Sequence, residues 1–256
     1  MIINSKELRA RAHASGKILA RVLHELGKMA VPGVTSLEMD TKARELIKNA
    51  GAIPVFLNYQ PDGEKHPYPA AICLSVNDMV VHGIPTIRPL TIKEGDIVSI
   101  DCGVVFDGIV TDATTTVIAG KADPKDAALV SAVEEALASA VKVAKTGARV
   151  GDVSAAIEAV AKKYGYGVPT MFGGHGVGNR LHEDPFIGNT GSPGTGQMLR
   201  EGEMIAIEPI FTAGKPHVIF NEKDGYEART KDHSRSAEAE HTVIVGEEGG
   251  EVVTAL

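Results

Sequence analysis

KEGDIVSIDCGVVFDGIVTDATTTV, residues 93–117, is the stretch that decides the fold. Two β-rich runs flank Asp107-Gly108, a pair suited to a type I′ hairpin because both central residues of that turn need positive φ. With these two in the turn, Phe106 faces Ile109, Gly103 faces Asp112 and Asp101 faces Thr114. Residues two apart on a strand share a face, so Asp101 and Gly103 point together and Asp112 joins them from across the ladder. The two carboxylates are then diagonal neighbours, their backbones about 7–8 Å apart. Like charges so placed destabilise a sheet unless something positive sits between them. Val98, Ile100 and Cys102 take the opposite, apolar face.

The segment has an echo. KEGDIVSID (93–101) matches REGEMIAIE (200–208) nearly residue for residue, placing Asp101 and Glu208 at equivalent positions. Two further correspondences run in the same order. The helical pattern after Pro32-Gly33 resembles that after Thr146-Gly147, each closing at a glycine, Gly51 and Gly165, as helix C-caps do. His82-Gly-Ile-Pro85 is matched by His182-Glu-Asp-Pro185. The order implies two related halves, about 1–120 and 121–256, with a site between them in a single domain spanning 1–256. Helices are predicted at 5–29, 36–50, 124–144 and 151–164. Strands are predicted at 70–76, 96–105, 110–118, 203–212 and 238–246. Helices and hairpins grouped in this way point to an α+β fold with a largely antiparallel sheet. The Gly/Pro/Ser-rich piece at 188–197 reads as a surface loop.

The second half adds to the acidic pair. Glu208 ends MIAIE, the counterpart of IVSID, so pseudo-symmetry sets it opposite Asp101. In SAEAEHTVIV, Glu238 and Glu240 fall on one face, and parity does not choose between them. His175 sits in FGGHGVG, where glycines let the backbone approach a crowded site closely. Several carboxylates with one imidazole suit Mn²⁺, Co²⁺, Fe²⁺ or Zn²⁺ better than a structural zinc site, which prefers cysteine. Two such ions about 3.5–4 Å apart activate water and polarise a carbonyl oxygen. His82 and His182, in their matching contexts, are the candidates to polarise or hydrogen-bond a substrate.

Composition narrows the alternatives. The chain has 256 residues, 43% hydrophobic and 23% charged, enough to bury a core and not disordered in character. A net charge of −7 with no Lys/Arg run argues against nucleic-acid binding. No apolar run approaches the roughly 20 residues of a membrane helix, and the first residues lack a signal-peptide core, so a cytoplasmic protein is expected. Cys73 and Cys102 have no metal- or redox-motif neighbours and are read as reduced thiols. Cys102 points away from the acidic face, and no G-x-S-x-G nucleophile elbow is present, which leaves serine and cysteine hydrolase chemistry without support.

In VVHGIP, IDCGVVFDG with Asp112 beyond it, GGHGVGNRLHEDP, AIEP and EHT, the sequence resembles the methionine aminopeptidases, the pita-bread metallopeptidases, along essentially its whole length. The resemblance implies a pita-bread fold: pseudo-two-fold halves and a curved, largely antiparallel sheet with helices on its outer face. It implies two divalent ions (Co, Mn, Fe or Zn) held by Asp101, Asp112, His175, Glu208 and Glu240, thereby selecting Glu240 over Glu238. Glu208 would also shuttle the proton of the attacking water, and His82 and His182 would contact substrate. The interval from His175 to Glu208 is too short for the insertion of the type II enzymes, so type I is implied, without an N-terminal zinc-binding extension. Tyr68 and Cys73 match positions lining the methionine pocket, and Phe56 and Tyr59 fall where further wall residues are expected. Leu181 replaces a usual phenylalanine, Tyr226 a tryptophan common in bacterial members, and the connection 60–67 (QPDGEKHP) is longer than usual.

The implied activity is removal of N-terminal methionine from peptides and nascent polypeptides, with transient ribosome proximity and a monomeric state. Two other readings differ in outcome. An X-Pro aminopeptidase or dipeptidase of the same fold would cleave Ala-Pro rather than Met-Ala-Ser; such enzymes usually carry an additional N-terminal domain. A non-catalytic peptide-binding relative would bind no metal, and such relatives typically lose ligands, all of which are present here.

Overall fold

The computed structural model describes residues 1–61 and 63–256. Of the connection 60–67, Asp62 therefore lies outside the described residues.

The helices are α1 (Lys6–Met29), α2 (Ser36–Asn49), α3 (Pro124–Val143) and α4 (Val150–Tyr164), each within one or two residues of its predicted span. Their ends are set by local chemistry. The Ser5 side chain accepts from the Leu8 amide, and Thr35 and Glu38 form a reciprocal capping box. Asp123 caps α3 directly before Pro124, whose missing N–H costs nothing at a first helical position. Gly51 and Gly165 both follow their helices with φ near +70°, as their C-cap reading requires.

The strands are β1 (Ile53–Pro54), β2 (Cys73–Val76), β3 (Met79–Val81), β4 (Ile97–Phe106), β5 (Ile109–Ile118), β6 (Gly173–Gly176), β7 (Glu183–Gly188), β8 (Met204–Ile207), β9 (Ile210–Thr212), β10 (Val218–Phe220), β11 (Ala228–Thr230), β12 (Ser236–Glu238), β13 (Glu240–Val245) and β14 (Gly250–Val252). The main sheet runs β1-β4-β5-β13-β8-β6-β7, with β2 also on β4 and β14 on β13. The ladders between these strands are antiparallel.

The β4–β5 hairpin has the predicted register, with Asp101 opposite Thr114, Gly103 opposite Asp112 and Phe106 opposite Ile109. Asp107 and Gly108 both have positive φ, at 48° and 73°. Alternation then sorts the side chains. Val98, Ile100, Cys102 and Val104 pack with Leu19, Leu23, Leu26, Met39 and Ile47 of α1 and α2. In the second half, Ile205 and Ile207 pack with Leu129, Val133, Val153 and Ile157 of α3 and α4. The helices thus cover one face of the sheet, and the acidic residues occupy the other.

Two predicted strands are not continuous. The span 203–212 breaks at Glu208-Pro209, and 238–246 breaks at Ala239; the pieces beyond the breaks, β9 and β12, pair in a separate two-stranded ribbon. Pro209 has no N–H to give a ladder, so β8 ends just before it. The parity that put Glu238 and Glu240 on one strand face fails for this reason, because the chain changes sheets between them. The predicted strand at 70–76 is shorter, starting at Cys73, whereas 188–197 is loop as expected except for Gly188, which ends β7.

Candidate metal centre

Strand register places the acidic groups in two adjacent rows across the sheet. Cys73 lies opposite Asp101, Asp101 opposite Thr114, and Thr114 opposite Glu240. Continuing the β13–β8 register one residue past β8 sets Glu208 beside Glu240. In the next row, Gly103 pairs with Asp112, Thr242 with Ala206, and Ala206 with His175. Thr242 stitches the row together: its hydroxyl donates to the Asp112 carbonyl at 2.7 Å and accepts from the Asp112 amide at 2.9 Å.

The small residues in the second row leave space above the sheet, and at Gly103 this is compulsory. A Cβ there would stand 2.4 Å from Val55 Cγ1, 2.9 Å from Phe56 Cε1 and 3.2 Å from Asp112 Oδ1.

Asp112, His175 and Glu240 offer ligand atoms within 4.8 Å of one another. His175 Nε2 lies 3.7 Å from Asp112 Oδ2 and 4.0 Å from Glu240 Oε1. These separations are too long for hydrogen bonds. They leave room for an ion bonded to each atom at about 2.0–2.2 Å. Asp101 and Glu208 line the same cavity but fall outside that tight group.

The electrostatics agree that a positive charge belongs here. Burial pushes the Asp101 carboxyl up to about 7, against hydrogen bonds from Thr114 and Cys73 that favour its charge. Burial, then the neighbouring acids, holds Asp112 and Glu208 well above the usual carboxylate range; Glu240 is raised by burial and by Asp101. Burial, then nearby His182, lowers His175 to about 3, so its contacts with the acids are not ion pairs. Asp101 Oδ1 and Asp112 Oδ1 are buried with no hydrogen-bond partner. Unpaired buried acceptors are costly, and a divalent cation satisfies them. The donor set fits such ions.

All the predicted site residues line one cavity of about 510 Å³. Its closed end is aromatic: Tyr68 makes edge contacts with Phe56 at 6.5 Å and Tyr226 at 5.2 Å, beside buried Cys73 and Leu181. Burial raises the Tyr68 phenol, and burial, then Asp101, raises the Cys73 thiol, so both stay neutral. Tyr68 donates to the Gly83 carbonyl at 2.9 Å, and Tyr226 to that of His66 at 2.6 Å, which ties the residue 60–67 connection to the wall.

At the mouth, the His182 ring stands 4.4 Å from that of His175, with its Nδ1 2.7 Å from the Tyr59 hydroxyl. His82 has φ of 60°, rare outside glycine, and packs edge-on to Phe172. Burial, then His182, lowers its pKa to about 4, leaving a neutral ring.

Phe172, Met171 and Phe186 also line the cavity and were not anticipated. No spacing pointed to them. Thr114 is different: its hydroxyl lies 3.2 Å from Glu240 Oε2, and the hairpin register already put it on the acidic face.

An antiparallel sheet presenting buried carboxylates and an imidazole to one cavity is the arrangement of a metal-dependent hydrolase. A model of metallopeptidase family M24 matches residues 10–247, and the chain belongs to that family. It is 41% identical to the methionine aminopeptidase of Aquifex aeolicus over 94% of both chains. It is also 41% identical to methionine aminopeptidase 1 of Mycobacterium tuberculosis, over 97% of this chain and 92% of the relative. The solved methionine aminopeptidase of Thermotoga maritima superposes over all of both chains with a TM-score of 0.93 and 41% identity, which gives this chain the pita-bread fold. Prolidase from Pyrococcus furiosus superposes at 0.74 with 25% identity, this chain covering 66% of it. Within the family, the chain sides with the methionine aminopeptidases.

Proposed function

We propose that the chain is a single catalytic domain, 1–256, that removes N-terminal methionine from peptides and nascent polypeptides as a type I methionine aminopeptidase. Asp101, Asp112, His175, Glu208 and Glu240 would hold two divalent ions, Co, Mn, Fe or Zn. Such ions supply a Lewis acid for the carbonyl oxygen and an acidified water. The chain's own groups do the rest. Water adds to the carbonyl carbon of the first peptide bond while Glu208 takes its proton. The carbon–nitrogen bond then breaks as Glu208 passes that proton to the leaving amine. Glu208, buried at the cavity among the other acids, is placed for both transfers.

His82 and His182 hold the substrate. Neutral rings act here as single hydrogen-bond donors. The 2.7 Å hydrogen bond between the Tyr59 hydroxyl and Nδ1 orients the His182 ring and leaves Nε2 for the carbonyl oxygen. Phe56, Tyr59, Tyr68, Cys73, Leu181 and Tyr226 form the wall for the methionine side chain, whose flexible thioether packs well against aromatic edges.

The observation that carries this reading is the meeting of the acid–imidazole set and the aromatic end in one cavity. The physiological setting would be cytoplasmic, the protein monomeric and transiently near the ribosome; no helix among the described residues is long and apolar enough to cross a membrane. Protein stripped of metal and reconstituted with Mn²⁺, Co²⁺, Fe²⁺ or Zn²⁺ should release Met from Met-Ala-Ser and leave Ala-Pro substrates intact. Folded protein inactive on Met-Ala-Ser with every metal would overturn the assignment, and cleavage of Ala-Pro alone would move it to the X-Pro enzymes.

A further inference from the structure

The inner wall of the cavity is buried, but its mouth is open and carries apolar side chains alongside Arg180, Glu183 and Asp184. Met171 and Phe186, both lining the cavity, are 54% and 55% exposed, and Phe220 is 45% exposed. Phe220 is joined to the site by two aromatic contacts: its ring is 6.0 Å from Phe172, and the Phe172 ring is 5.9 Å from His82. The backbone explains the placement. β10, ending at Phe220, pairs with β11, and β11 pairs with β3, which ends at Val81 beside His82. On the other side, Phe186 sits opposite His175 in the β6–β7 ladder and shares its face. Single exposed apolar residues are ordinary. Here Met171, Phe172 and Phe186 line one opening and Phe220 extends it through its contact with Phe172, and exposed apolar surface gathered in this way marks an interaction site.

What covers this rim follows from the chemistry at the inner end. Phe56, Tyr68, Cys73 and Tyr226 are buried there, so a peptide enters amino end first and its chain continues outward over the mouth. An extended chain advances about 3.3 Å per residue, so three or four residues span the two ring-to-ring steps from His82 to Phe220. We propose that this rim is a subsite for apolar side chains at about the third to fifth positions of the substrate. The inference rests on the aminopeptidase reading. It adds a preference that the metal chemistry does not require: chains that continue with apolar residues are processed faster.

The test compares Met-Ala-Ser-Leu-Phe-Gly with Met-Ala-Ser-Ser-Asn-Gly on the metal-loaded enzyme. The apolar peptide should show a kcat/KM higher by about fivefold or more, expressed mainly in KM, the effect expected from half-burying two apolar side chains. Phe220→Ser should shrink that ratio, and Phe220→Leu should keep most of it. Because Phe220 is half-exposed, neither change threatens the core. Equal kcat/KM for the two peptides in the wild type would overturn the proposal, as would a ratio that survives both Phe220→Ser and Phe186→Ser. Met-Ala-Ser, too short to reach Phe220, tests the parent reading alone. If it is not cleaved, anisotropy of the same two peptides, fluorescein-labelled at their C-termini, still measures whether the rim selects apolar chains.

Discussion

Replacing Asp101 by asparagine should make the metal-free protein more stable at pH 8 and abolish most of the stabilisation that Mn²⁺ confers. Burial raises this carboxyl from 3.8 to about 7 in the folded chain. Between those two values the folded state binds more protons than the unfolded state, so stability falls as pH rises through the window, and the loss is complete above about 7. At about 1.4 kcal/mol per unit, a shift of roughly three units sets a ceiling of about 4 kcal/mol against the fold at pH 8. Asparagine removes the charge and can keep its carbonyl oxygen on the partnered side, but it puts a buried NH₂ donor where Asp101 Oδ1 has no partner, which reclaims about 1–2 kcal/mol. The net gain is about 2 kcal/mol, or roughly 4–8 °C for a chain of this size. At pH 5 the folded carboxyl is still protonated and only about 1.6 kcal/mol of the penalty has accumulated, so the gain should fall to under half. Thermal melts of chelated wild type and variant at pH 5 and pH 8, repeated with Mn²⁺, read all of this. A variant that melts below the wild type at pH 8, or a shift of the same size at both pH values, would refute the reasoning.

Three further perturbations probe other parts of the site. Gly103→Ala drives a methyl group into Val55, Phe56 and the Asp112 carboxylate, and should cost about 1–3 kcal/mol in urea unfolding along with much of the activity; an unperturbed melt would mean the strand gives way freely. Tyr59→Phe removes the hydroxyl on His182 Nδ1 and should lower kcat on Met-Ala-Ser about fivefold, with KM and metal content near wild type. A change in metal content instead would make Tyr59 a structural residue. Glu240→Gln replaces a carboxylate that Thr114 holds in place, and equilibrium dialysis against Mn²⁺ should find about one ion fewer or a far weaker site; unchanged binding would exclude Glu240 as a ligand.

Much of the site was legible because β geometry has period two. Once Asp107-Gly108 is read as the turn, the register of Asp101, Gly103 and Asp112 follows from counting, and the structure has that register. The KEGDIVSID and REGEMIAIE match located Glu208 by symmetry. Counting failed at Ala239, where the chain leaves one sheet for another, and no local pattern announces such a switch; the choice between Glu238 and Glu240 came from resemblance. His175 was also beyond counting, since β6 is a short glycine-rich strand whose pairing depends on partners at 183–188 and 204–207. The rim residues Met171, Phe172, Phe186 and Phe220 were out of reach for a similar reason. Their shared position depends on how the β6–β7 ladder meets the separate β10-β11-β3 sheet, and an exposed phenylalanine looks the same in sequence whether it rims a cavity or faces open solvent.

The two rows of candidate ligands stand on paired strands or, for Glu208, one residue past a strand, whereas much of the wall stands on the connections between strands: Phe56 and Tyr59 after β1, Leu181 before β7, Tyr226 before β11. The placement of any ions these rows hold would therefore be set by the sheet, and side-chain selection by segments that lie outside the ladders. The reaction and its specificity are separable inheritances. Residues 60–67 can lengthen, or Leu181 and Tyr226 replace other side chains, without disturbing the rows. An engineer wishing to admit a different first residue has those loops to work with, and good reason to leave the rows alone.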